Sequence, residues 1–157
     1  MGYILRKVKR LMFSALLLIF INGCNVSNED IFQYNDSYIG DNNAVSHILS
    51  YLPSSEHLKG FELKTKEEPY GININYNVEI EQDYEETVIY NGTFLLSLIQ
   101  NVDSIKFNFG DLEYNITKER LEEWYERDLN EFTNEEELKN FVQEQLENES
   151  KVKLIFE

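Results

Sequence analysis

Ile72-Asn73-Ile74-Asn75-Tyr76-Asn77-Val78-Glu79-Ile80 alternates apolar and polar side chains without a break. Successive side chains of an extended strand point to opposite faces. This period of two therefore places Ile72, Ile74, Tyr76, Val78 and Ile80 on one side and the asparagines and Glu79 on the other. One buried and one wet face predicts a largely antiparallel sheet with helices packed on one face. The fold class that follows is α+β.

Working outward, Pro69-Tyr70-Gly71 reads as a turn before the strand. Upstream of it, Phe61, Leu63 and Thr65 alternate with Glu62 and Lys64 in a partner strand. Earlier still, Asp41 or Asn42 can cap a helix in which Ala44, Val45, Ile48, Leu49 and Leu52 share a face, and Pro53 stops it. Downstream, the acidic stretch Glu81 to Glu86 reads as a loop or strand extension. Asn91-Gly92-Thr93 then opens a helix burying Phe94, Leu95, Leu98 and Ile99. Ile105, Phe107 and Phe109 alternate in a third strand, Gly110-Asp111 turns, and Leu112, Tyr114 and Ile116 face inward from a fourth. Thr117 caps a helix carrying Leu121, Trp124, Tyr125, Leu129 and Phe132. Thr133 and Glu136 fit a capping box for the next helix, which buries Leu138, Phe141, Val142 and Leu146. Val152, Leu154 and Phe156 suggest a last short strand. The order α-β-β-α-β-β-α-α-β describes a single domain over 31–157 and hints at an internal αββ duplication.

The N-terminus reads differently. Arg6, Lys7, Lys9 and Arg10 precede an apolar run from Leu11 to Ile21, broken only by Ser14, and then Gly23-Cys24. Eleven residues fall well short of the roughly 20 needed to span a bilayer. The pattern predicts a lipoprotein signal peptide over 1–23, lipidation of Cys24 and a tether over 24–30. The expected location is the extracytoplasmic face of the cell membrane, anchored by lipid. Cys24 is the single cysteine, so no disulfide framework is available and the domain rests on its core.

The chain has 14 basic and 29 acidic residues, a formal charge of −15. Removing residues 1–23 takes away four basic groups and leaves 10 against 29, or −19. Such a field disfavours nucleic acid and anionic lipid as partners, whereas cations and basic peptides suit it.

Three stretches resemble a known family: Tyr34 to Pro53 (YNDSYIGDNNAVSHILSYLP), Leu63 to Tyr76 (LKTKEEPYGININY) and Asn91 to Phe109 (NGTFLLSLIQNVDSIKFNF). They are similar to a domain of unknown function found in membrane-anchored lipoproteins of Bacillus-like Gram-positive bacteria. Tyr38-Ile39-Gly40-Asp41-Asn42 and Pro69-Tyr70-Gly71 are the most distinctive parts, and a weaker likeness continues from Thr117 to Phe141. Similar domains occur outside the membrane in proteins resembling antirepressor-type membrane metallopeptidases. The resemblance implies a sensory or accessory role and carries over no catalytic residue.

No motif for nucleophilic, metal-dependent or phosphate chemistry is present. His47 and His57 lack the spacing of a zinc pair, and Ser54, Glu56 and His57 lack a G-x-S-x-G elbow. Asp36, Asp41, Asp83, Glu85 and Glu86 offer oxygens for calcium but form no EF-hand loop. Neither a cofactor nor a metal is expected. The candidate binding surface is Tyr38, Asp41, Asn42 and Tyr70, because two tyrosines there flank glycine turns. The expectation is a non-enzymatic domain binding a membrane protein or envelope peptide. The alternatives are a small-ligand or cation binder and, without positive signal, an envelope-polymer hydrolase.

Overall fold

The computed structural model describes residues 30–77 and 83–156. The expected signal peptide, Cys24 and most of the expected tether lie outside the described residues, as do Val78, Glu79 and Ile80, over which the alternation predicts that the strand continues. Among the described residues, no helix is long and apolar enough to cross a membrane.

Four strands, β1 (Leu58–Lys64), β2 (Gly71–Tyr76), β3 (Ser104–Phe109) and β4 (Leu112–Thr117), form one sheet in the order β1-β2-β3-β4. The outer pairs are antiparallel and the central pair, β2 with β3, is parallel. A parallel pair requires a crossover, which the helix α2 (Tyr84–Leu98) supplies between β2 and β3. Register places Leu63, Ile72, Ile105 and Ile116 in one row, and Phe61, Ile74, Phe107 and Tyr114 in the next, all facing the core. The opposite face carries Glu62, Asn73, Lys106 and Asn115 in a single row, with Asn108 donating to Asn75 at 2.9 Å beside it. The strand-face assignment read from 72–76 is thus the one observed.

Helix α1 (Asn42–Tyr51) begins at Asp41, whose carboxylate accepts from the Asn43 and Ala44 amides, both at 3.1 Å. It buries Ala44, Val45, Ile48 and Leu49, with Leu52 just beyond. Helix α2 starts seven residues before the predicted position, capped by Asp83. Of the acidic stretch read as a loop or strand extension, Asp83 is the cap and Tyr84 to Glu86 belong to the first turn, where Glu85 and Glu86 complement the positive end of the helix dipole. Eleven of the residues in α2 are buried, including Thr87, Asn91, Thr93 and Ser97. A helix buried almost all round beyond its first turn lacks the one-sided stripe by which a sequence betrays a helix boundary.

Thr117 caps α3 (Lys118–Tyr125) by accepting from the Arg120 amide, as expected. Glu126 (φ 57°) ends this helix early. Leu129–Glu131 is a separate 3-10 turn, so Leu129 and Phe132 are buried from outside the helix. Helix α4 (Glu135–Leu146) is capped by Asn134, one residue later than the Thr133–Glu136 box implied: its side chain accepts from the Glu137 amide at 2.9 Å. The last element, α5 (Glu149–Leu154), is a helix and not a strand. Asn148 caps it, Val152 is buried and Leu154 is 56% exposed. Five residues of alternation cannot by themselves separate a strand from one turn of amphipathic helix.

The core is continuous, running from Ile31 and Ile39 through α1, the sheet and α2 to Leu138, Val142, Val152 and Ile155. The element order repeats as αββ, αββ before the C-terminal helices.

Candidate functional site

The connection from α2 to β3, residues 99–103, organises one end of the molecule. Ser37 pairs with Ile99 in a parallel bridge. The Ser37 amide reaches Leu98 O at 3.2 Å, and the Gln100 amide donates back to Ser37 O at 2.9 Å. Asn101 Oδ1 accepts from the Ile39 amide at 2.8 Å. Asp103 Oδ2 accepts from the Tyr70 amide at 2.7 Å, while the Asp103 amide donates to Tyr70 O at 2.9 Å. The Tyr38–Asn42 and Pro69–Gly71 stretches, 27 residues apart between their facing ends by sequence numbers, therefore hang from two residues of one short loop.

Within this framework the four candidate residues behave differently. Tyr38 is 58% exposed although its backbone is fixed, with the Asp41 amide donating to Tyr38 O at 2.9 Å. Tyr70 is half-buried and packs against the core. Asp41 is committed to capping α1, and Asn42 is an exposed first residue of that helix. Asn101 and Asp103 were not anticipated as members of this site. Their only sequence signal is a pair of short polar side chains in a helix-to-strand connection, the residue types that substitute for backbone acceptors in turns.

The acids considered for calcium do not converge. Asp36 accepts from Gln100 Nε2 at 2.9 Å near the end of α2, whereas Asp83 caps its beginning. Among the described residues, no three His, Cys, Asp or Glu side chains are placed to hold a metal ion. His47 stacks on Tyr34 with ring centroids 5.5 Å apart. His57 lies 3.6 Å from Glu56, and its carbonyl accepts from the Asn77 amide.

The buried phenols belong to the core. Tyr76 is pushed up to about 12, chiefly by burial and also by the charge of Glu56, against the hydrogen bond from Asn91. Tyr125 is raised further by burial, with Thr93 opposing. Tyr90 is raised by burial and by Glu135, and Tyr114 by burial and the acids near the start of α2.

No curated protein and no solved structure matches the chain. A family match covers residues 31–119, from the first turn of the domain through all four strands to the start of α3. It includes both stretches that meet at Asn101 and Asp103, and on this match the chain belongs to the domain-of-unknown-function family DUF4825.

Proposed function

We propose that the protein is a non-enzymatic domain, anchored by lipid on Cys24 at the extracytoplasmic face of the membrane. Its role is to bind a membrane-protein or peptide partner through the end that carries Tyr38 and Tyr70. The observation that supports this reading is Tyr38 itself, a large aromatic side chain that is 58% exposed on a backbone fixed by Asn101. A preorganised aromatic loses little conformational freedom on docking, which is why such residues dominate binding energy at interfaces. Tethering two proteins to one membrane raises their effective concentration, so a modest surface suffices.

The test is photo-crosslinking in native membranes with probes at Tyr38, Tyr70, Asn73 and Asn75. The expected result is a specific adduct at Tyr38 that weakens when Cys24→Ala releases the chain from the membrane. Adducts absent at Tyr38 and Tyr70, or unchanged by Cys24→Ala, would remove the reading.

A further inference from the structure

Towards the other end of α2, whose lining residues Glu86 to Tyr90 stand about 12 to 18 Å from Leu98 by the rise of the helix, lies an open cleft of about 1020 Å³. The end of α1, the first turns of α2 and one side of α4 form its walls. Glu56, Glu86, Glu135 and Glu147 line it, with Lys139 as the one lining cation among the described residues. Glu86 and Glu147 are exposed and make no ion pair among the described residues. Tyr90 presents a half-buried ring backed by Phe94, with centroids 5.0 Å apart. Glu135 lines the same cleft as Tyr90, and its Oε2 accepts from the Ile31 amide at 3.4 Å.

Behind the wall sits Asn91, fully buried and one turn along α2 from the lining residue Thr87. Its Nδ2 donates to Pro53 O at 3.0 Å and to the Tyr76 hydroxyl at 3.1 Å. Its Oδ1 accepts no hydrogen bond among the described residues.

The spacing of the acids says what they suit. No three of them meet at one point, which is the arrangement a metal ion would need. Glu135 and Glu147 lie twelve residues apart on the α4 side, about 18 Å along a helix. That is the length of about five or six extended residues. Distributed carboxylates beside an aromatic face match spaced ammonium or guanidinium groups whose aliphatic stems lie on the ring. We propose that this cleft binds an extended peptide segment bearing several lysine or arginine side chains.

The experiment uses the full chain in an uncharged detergent and a fluorescein-labelled octapeptide alternating Lys and Ser, with a Glu-Ser octapeptide as the control. Fluorescence anisotropy should report salt-sensitive binding of the lysine peptide alone. The triple variant Glu56→Gln, Glu86→Gln, Glu147→Gln should weaken it about tenfold or more. A second triple, Glu62→Gln, Glu119→Gln, Glu123→Gln, removes the same charge from exposed positions outside the cleft and should leave affinity within about twofold. Lys139→Glu should tighten binding. No binding to the parent chain, or equal losses in the two triples, would overturn the proposal, the latter by showing attraction to net charge alone. Neither outcome bears on Tyr38, at the other end of the helix.

Discussion

The side-chain oxygens of Thr93 and Tyr125 lie 2.8 Å apart within the core, joining α2 to α3. Thr93 Oγ1 also lies 2.6 Å from Ile89 O, to which it donates. That leaves the tyrosine hydroxyl as the donor between the two. The roles are unequal, and so are the costs of removing them. Thr93→Val strands a buried phenol hydroxyl and should cost about 1–3 kcal/mol, whereas Tyr125→Phe removes only a donor and should cost about 1 kcal/mol. The double variant should cost less than the sum of the two, because the group each single change strands is then gone. Urea unfolding of the three variants measures this. Strict additivity would show that the hydroxyls do not interact.

Alkaline stability should report the buried phenols. Below about pH 10 Tyr76 is protonated whether the chain is folded or not. Between there and its folded value of about 12, the unfolded chain releases the proton and the folded chain keeps it. Stability is therefore fully present below pH 10 and falls as pH rises. The loss from this residue should approach about 2–3 kcal/mol by pH 12. Tyr125 adds in the same direction. Tyr76→Phe should flatten the decline without abolishing it, as followed by denaturant midpoints from pH 9 to 11.5. An unchanged slope in that variant would remove Tyr76 from the account.

Gly92 packs α2 directly against Ile116 and Phe107 of the sheet. A Cβ there would stand 3.0 Å from Ile116 Cγ2 and 3.7 Å from the Phe107 ring. The buried Ile116 side chain would have to give by a few tenths of an ångström in a packed core, so Gly92→Ala should destabilise by about 1–3 kcal/mol despite its better helix propensity. Adding Ile116→Ala removes the clashing methyl. The pair should then lose less stability than the two single changes together, as thermal unfolding would show.

How much of this was legible beforehand depends on the kind of signal. The period of two at Ile72 to Tyr76 is local and identified both faces of β2 correctly. Asp41 and Thr117 are local caps and were equally readable. The start of α2 was not, because from Thr87 onward nearly every residue is buried, polar Thr87, Asn91, Thr93 and Ser97 included, and no polar stripe is left to set a period. The parallel pairing of β2 with β3 is a long-range property that alternation within one strand does not encode. Asn101 and Asp103 escaped for the same reason, since their partners lie 62 and 33 residues away.

Those two side chains make their own prediction. Asn101→Ala frees the Ile39 amide and Asp103→Ala the Tyr70 amide, each costing about 1–2 kcal/mol. Native-state hydrogen exchange should accelerate at Ile39 and at Tyr70 respectively. Amides in the middle of β3 should change only by the global loss. A uniform acceleration would mean that the loop holds the whole domain and not the two turns.

The family match ends at residue 119, yet the core does not. Leu121, Leu129, Leu138 and Val142 are fully buried, and Ser97 Oγ donates to Leu129 O at 2.9 Å. Removing 120–157 would uncover the side of α2 that meets α3 and α4. It would also take away Leu129 O, the acceptor of the buried Ser97 hydroxyl. Each large aliphatic side chain that loses its burial partners forfeits about 1.5–3 kcal/mol, so a few of them match the entire stability of an ordinary domain. A chain truncated after Glu119 should therefore lose cooperative thermal unfolding and bind hydrophobic dye at 25 °C. Adding residues 120–157 back as a separate chain should restore a sigmoidal transition. A truncated chain that still melts cooperatively would show that β1–β4 and α2 close a core without the C-terminal helices.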